Sequence, residues 1–389
     1  MNELGARLRE ALHAELPAAY RLRRELHAEP CLSGKEEPTL KRMLDALPEG
    51  SAMERVAETG ALLRVGGDGL AVGVRGELDA LPIPEETGVP WAAQNGAMHA
   101  CGHDVHLAAL VALTRAVDHV QAPAPMVAVL QPREEGPPSG ARDIVASGAL
   151  QRNQVGAMIA SHVQPVLEAG QTACTPGAVN ASSDRFAVVV RGRGGHAAYP
   201  HLAQDSVLAL AQIIVAAQQL VSRDADPMTP TVVTFGIVSA GTAPNAIPRK
   251  AVAQGTFRTM SEAWRQRLHQ RFHEIAEGVA RAYGCEAEVR ITYGEPVLVN
   301  DARLAEETGC ILVETGHHMP ATLRSCGADD FAHFASVVPS LMLFVGTDTV
   351  AGLHSPHFLP GDETVKALAE SLLAGYLGAA QVIGAGQGH

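Results

Sequence analysis

The chain has 389 residues, 47% hydrophobic and 19% charged, with a formal net charge of −12. That length exceeds one ordinary hydrophobic core, so two domains are expected. The acidic balance, with no long basic cluster, argues against nucleic acid or an anionic membrane as partner. The N-terminal stretch is charged and amphipathic, and no run of about eighteen uninterrupted apolar residues follows it, so neither a signal peptide nor a membrane span is expected and a cytoplasmic location is. Six cysteines are scattered without paired spacing, which predicts free thiols rather than a disulfide framework.

In chain order, roughly the first forty residues read as helix, with Leu8, Leu12, Leu16, Tyr20, Leu22 and Leu26 spaced among charges. Short β-rich apolar runs follow, each ending in polar residues. They are Leu70–Val74 before RGELDALP, Met126–Leu130 before QPREEG, Val155–Ala160 before SHV, and Leu341–Val345 before GTDT. Helical stretches at Val105–Val120 and Ala141–Ser147 lie between them. Strands alternating with helices predict an α/β domain on a mostly parallel sheet. The middle differs. Arg185–Val190, Thr231–Val238, Ala251–Thr256 and Cys285–Tyr293 read as strands, with helices at Ser206–Val221 and Ser261–Tyr283. That order describes an α+β domain of ferredoxin-like type, residues 181–293, inserted into a discontinuous domain of residues 1–180 and 294–389. The final GAGQGH is expected to fray.

Chemistry concentrates in Met98–His106, MHACGHDVH, with one thiol and three imidazoles in nine residues. Cys101 and His103, two apart, can face one cavity. Glu134, Glu135, His162 and His354 follow other strands, and ligands of open α/β sheets gather at strand carboxyl ends. A Cys, a Glu and three His exceed the needs of one catalytic zinc, so two ions sharing a ligand are expected. The mixed donor set suits Zn, Mn, Co or Ni. His99, His106 and His357 are weaker ligand candidates. The adjacent carboxylates Glu134 and Glu135 repel unless a cation lies nearby, which leaves one free as a base. Asp79 is read as orienting a ligand histidine, with a capping role as the competing reading. His196, in GRGGHAAYPH, is either an oxyanion donor or an ordinary turn histidine.

These motifs resemble the M20 metallopeptidases, specifically the amidohydrolase branch with hippurate hydrolases, auxin-conjugate hydrolases and N-acetyl-diaminopimelate deacetylases. The resemblance rests on RRELHAEP, GELDALPI, MHACGHDVH, LQPREEG, GRGGHAAYPH, APNAIP with GTFRT, GADDF and HSPHF, nearly end to end. It implies a catalytic domain with two divalent metal ions and an inserted lid that also forms a homodimer. It implies Cys101, His103, Glu135, His162 and His354 as metal ligands and Glu134 as general base. It implies His196 as a lid residue stabilising the tetrahedral intermediate, and Asn245 and Arg258 as lid residues meeting the substrate. Departures are Glu77 where relatives carry Asp, Cys31 within the HPELS pattern, and Asp329 where relatives carry Glu.

The expected activity is hydrolysis of a small-molecule N-acyl amino acid to a carboxylic acid and a free amine. A dipeptidase or carboxypeptidase is the nearest alternative, since only the acyl side differs. A cysteine hydrolase using Cys101 as nucleophile and a non-catalytic metal-binding protein are the rivals from other classes.

Overall fold

The structure is a computed structural model describing residues 3–120, 122–319 and 322–385. It divides into two compact units, Met1–Val179 with Val299–Arg324 and Asp330–His389, and Asn180–Leu298 with Ser325–Asp329. The second unit thus extends beyond the expected 181–293 and takes in a short return segment that carries Asp329. Of the GAGQGH tail, residues 386–389 lie outside the described residues.

The first unit is built on a seven-stranded sheet. Its order is Ala52–Val56, Gly60–Val65, Met126–Gln131, Ala71–Glu77, Val155–Glu168, Ser340–Thr347 and Thr172–Ala173. The four strands from Met126–Gln131 to Ser340–Thr347 pair in parallel, while the flanking pairs are antiparallel. Every residue of Ala71–Glu77, Met126–Gln131 and Ser340–Thr347 is buried, as parallel strands covered on both faces require. The helix His103–His119 packs on this sheet. A Cβ at Gly76 would lie 3.0 Å from Leu110 and 3.1 Å from Leu107 of that helix, so glycine there permits the close approach.

Several elements differ from expectation. The N-terminal region is two helices, Glu3–Ala28 and Glu37–Ala46, separated by a loop that carries Pro30, Cys31 and Ser33. The strand beginning at Val155 continues to Glu168, so His162 lies inside it rather than past its end. The apolar run stops at Ala160, but pairing with Ser340–Thr347 carries the extended backbone onward through His162 and Val163. Two helical stretches, Ser206–Asp224 and Asp362–Ala385, are long and apolar enough to cross a membrane by length and composition. Polar residues interrupt both, so neither is an unbroken apolar run. The second is a core helix, with 72% of its most apolar window buried.

The second unit is a four-stranded antiparallel sheet in the order Thr231–Ala240, Lys250–Thr259, Asp184–Arg191 and Glu286–Thr292. With the helices Ser206–Ala217 and Glu262–Ala282 it has the βαββαβ sequence and strand order of a ferredoxin-like domain. Phe186, Phe257 and Phe272 form its aromatic centre, with ring centroids 4.5 to 5.0 Å apart.

Candidate metal centre

The first unit gathers its donors at the carboxyl edge of the parallel strands. Cys101 and His103 flank Gly102, whose φ of +81° is left-handed and whose Cβ, if present, would lie 2.5 Å from Val163. Only glycine meets both demands, and the turn it makes starts the helix at His103 while both neighbouring side chains remain buried. Glu134 and Glu135 follow Met126–Gln131 on a loop pinned by buried Arg133. Its guanidinium donates to the carbonyls of Ala57 and Pro138 and pairs with Asp143, and its amide donates to buried Glu36. His354 adopts φ +64°, an unusual backbone for histidine, and its amide donates to the Ala100 carbonyl at 2.8 Å.

These atoms form two overlapping groups of possible metal donors. Cys101, Glu135 and His354 make one; His103, Glu134 and Glu135 make the other. Glu135 belongs to both. Its Oε1 lies 3.5 Å from His354 Nε2 and 3.9 Å from His103 Nε2, while Glu134 Oε2 is 3.8 Å from the same His103 nitrogen. His162 Nε2 lies 3.5 Å from the Cys101 sulfur. His103 Nε2 and Glu135 Oε1 are buried without a hydrogen-bond partner, in a cluster that also holds a thiol. Buried polar atoms left this way are costly unless something else satisfies them, and a thiolate, imidazole and carboxylate set suits a borderline transition ion. A carboxylate common to two groups fits two ions.

Electrostatics agree. Burial raises the Glu135 carboxyl, but His354 and His103 outweigh it and hold the group down at about 2. His354 is raised in turn by Glu135. His103 presents Nε2 because its Nδ1 donates to the Asp79 backbone carbonyl at 2.9 Å. This refines the expected role of Asp79, whose carboxylate Oδ1 is farther from that nitrogen, at 3.7 Å. The other carboxylate oxygen accepts from the Ser33 hydroxyl at 2.6 Å and the Glu135 amide at 2.9 Å. Asp79 therefore orients one candidate ligand by its backbone and another's loop by its side chain, and burial raises its own pKa. Ser33 was invisible in sequence, since nothing local marks a serine 46 residues from its partner.

Three weaker candidates fall outside the donor groups around Glu135. His357 donates from Nδ1 to the Glu86 carbonyl. His99 is buried with neither ring nitrogen partnered, and burial lowers its pKa to about 3. His106 stands in a further buried group of possible donors with Glu77, His103 and His162, but both its nitrogens are occupied, by Glu77 and by the Val163 amide.

In the second unit, Gly195–His196 and Ala246–Ile247 form a two-stranded ribbon that places His196 opposite Ala246. The Ala197 amide donates to the Asn245 carbonyl, so the ribbon brings His196 and Asn245 together. His196 Nδ1 accepts from the Ala198 amide, which leaves the proton on an exposed ring's Nε2. Arg258, on the strand Lys250–Thr259, is half-buried and its guanidinium makes no hydrogen bond among the described residues; burial lowers its pKa.

The profile of Peptidase family M20/M25/M40 matches residues 73–374. The chain belongs to this family. An N-acetyldiaminopimelate deacetylase from Halalkalibacterium halodurans is 33% identical over 375 residues, covering 93% of this chain and 99% of its own. An N-acetylcysteine deacetylase from Bacillus subtilis is also 33% identical, covering 92% and 94%. A solved dinuclear metal-binding peptidase of the M20 family from Bacillus subtilis superposes with a TM-score of 0.84 at 29% identity, covering 95% of this chain and 99% of its own. This M20 protein is accordingly an amidohydrolase whose clustered donors are able to hold metal ions.

Proposed function

We propose that the protein hydrolyses small N-acyl amino acids, releasing a carboxylic acid and a free α-amine, with Glu134 as general base. The observation that carries this is the pairing of Glu134 with a shared neighbour, Glu135, at the same ring nitrogen of His103. Cys101, His103, Glu135, His162 and His354 would hold the two ions. When bound, the ions supply Lewis acidity toward the amide carbonyl and acidify the attacking water. Glu134 takes the proton from that water at its carboxylate and delivers it to the leaving nitrogen. His196, whose Nε2–H is a donor, serves the developing oxyanion. Arg258, a guanidinium with no hydrogen bond of its own among the described residues, suits a substrate carboxylate, and Asn245 is read as its companion.

Names of relatives support the acyl side, since two of them are deacetylases of N-acetyl amino acids. A screen across N-acetyl, N-benzoyl and longer acyl amino acids, beside dipeptides, separates this reading from a dipeptidase or carboxypeptidase. Cytoplasmic location and a homodimer through the second unit complete the proposal. The strand Thr231–Ala240 is the edge of its sheet with Ile237 and Val238 exposed, and the nearby helix exposes Val207, Leu208 and Val215.

The deciding variant is Glu134→Gln. Turnover is expected to fall about a hundred- to ten-thousand-fold, with two metal ions per subunit retained. Loss of metal in parallel with activity would make Glu134 a ligand and overturn the assignment.

A further inference from the structure

We propose that His106 is a positioning residue that aims His162 at the metal cluster without binding metal itself. The proposal rests on the reading of His162 as a ligand. Pairing between the strands Ala71–Glu77 and Val155–Glu168 stops at Val74 and Ile159. Beyond that point the first strand stays with Met126–Gln131 as far as Glu77, and the second stays with Ser340–Thr347 through His162 and Val163. The sheet therefore opens between them, and Val163 loses a strand partner on that side.

His106 fills the gap. Its Nε2 accepts the Val163 amide proton at 3.0 Å, and its Nδ1 donates to Glu77 Oε2 at 3.1 Å. The other oxygen of Glu77 pairs with Arg75, and all three side chains are buried. An amide can only donate, so Nε2 is unprotonated and Nδ1 carries the hydrogen; the carboxylate selects that tautomer. Neither nitrogen is left for an ion. Burial, followed by His162, holds His106 well below the ordinary histidine range.

His162 is fixed by the same residues. Its Nδ1 donates to the Val163 carbonyl at 2.6 Å, which leaves Nε2 facing Cys101. The His106 ring lies against it, centroid to centroid 4.6 Å. An imidazole thus replaces a missing strand, holds the backbone beside the ligand and packs against the ligand's ring at a tilt of 60°.

The test compares His106→Leu, His106→Gln and His162→Ala. Zinc stoichiometry and affinity are read by competition with a chromogenic chelator, ligand geometry by the visible spectrum of the Co(II) protein, and folding by apo-protein circular dichroism. His106→Leu is expected to weaken one of the two zinc ions about 10- to 100-fold and to alter the Co(II) spectrum as His162→Ala does. His106→Gln, whose amide oxygen can accept from Val163, should recover part of both. Wild-type affinity and spectrum in a folded His106→Leu protein, with His162→Ala defective, would overturn the positioning role. Two ions held at wild-type affinity by His162→Ala would instead overturn the ligand reading beneath it. Should His106→Leu fail to fold, His106→Asn, too short to reach Val163, is set against His106→Gln; a loss confined to Asn supports the proposal and equal affinity overturns it.

Discussion

Asp184 in the second unit and Glu135 in the first are both carboxylates withdrawn from solvent beside histidine, yet their hydrogen bonding is opposite. Asp184 accepts from Arg265 Nε at 2.8 Å and Nη2 at 2.6 Å, from His269 Nε2 at 2.7 Å and from the Gly294 amide at 3.0 Å. Glu135 Oε1 accepts no well-formed hydrogen bond, although its neighbours hold it anionic. A histidine–carboxylate cluster with every carboxylate lone pair used is a fastener. One whose anionic oxygen meets its imidazole neighbours only at 3.5 to 3.9 Å, beside a thiol, leaves room for a cation between them. Clustering of residue types does not distinguish the two; bookkeeping of partners does.

That contrast can be broken most sharply at Glu135. Glu135→Gln is expected to abolish metal retention at the shared position and lower turnover by about a thousandfold or more, in the range of lost catalytic stabilisation. The apo-protein should lose little stability, no more than the long ion pairs to His354 and His103 contribute. A marked loss of apo-protein stability would show that Glu135 is a fastener after all.

Asp184→Asn should behave in the opposite sense. Leaving buried Arg265 with only the partly exposed Glu262 as its anion is expected to cost up to about 3 kcal/mol, with zinc stoichiometry unchanged. The two tryptophans, Trp91 and Trp264, lie one in each unit, so Trp91→Phe leaves Trp264 as reporter of the second. Equal stability of the Asn variant in urea would refute the fastener reading.

Smaller effects come from pH. Although burial raises it, Asp184 is held down to about 2 by Arg265 and His269, below its ordinary 3.8. Its contribution is therefore complete above 3.8 and lost as pH falls toward 2, an acid limb that Asp184→Asn should flatten. His27 makes the converse case in the first unit. Burial opposes its charge, but Asp104 and then Glu85 raise it from 6.5 to about 9. That contribution is present below 6.5 and fades as pH rises to 9. The ring lies 4.9 Å from Trp91, so Trp91 emission in a Trp264→Phe background should follow the loss. His27→Gln is expected to remove this alkaline limb.

Much of the molecule was legible in the chain because periodicity and turn chemistry are local. The four parallel strands, the long helices and the βαββαβ order of the insert each follow from short windows, as Met126–Gln131 and Glu262–Ala282 illustrate. What was illegible depends on contacts far apart in sequence. Asp184 stands in an unremarkable SSDRF stretch, with its partners 81 and 85 residues away. His106 shares a motif with Cys101 and His103, and spacing alone cannot tell a ligand from a residue whose two nitrogens are already spent. The sequence places His162 after a strand because polarity marks where burial by apolar side chains stops, whereas hydrogen bonding decides where a strand stops.

The link between the His354 amide and the Ala100 carbonyl joins residues separated by most of the chain. During synthesis, Cys101, His103, Glu135 and His162 emerge long before the strand Ser340–Thr347 that inserts beside Val155–Glu168, and His354 comes later still. Contacts of such separation close last. A nascent chain therefore offers an incomplete set of donors, and the full set exists only once His354 has been made and seated against Ala100. Ion occupancy at full affinity thus doubles as a certificate that the polypeptide has completed its folding.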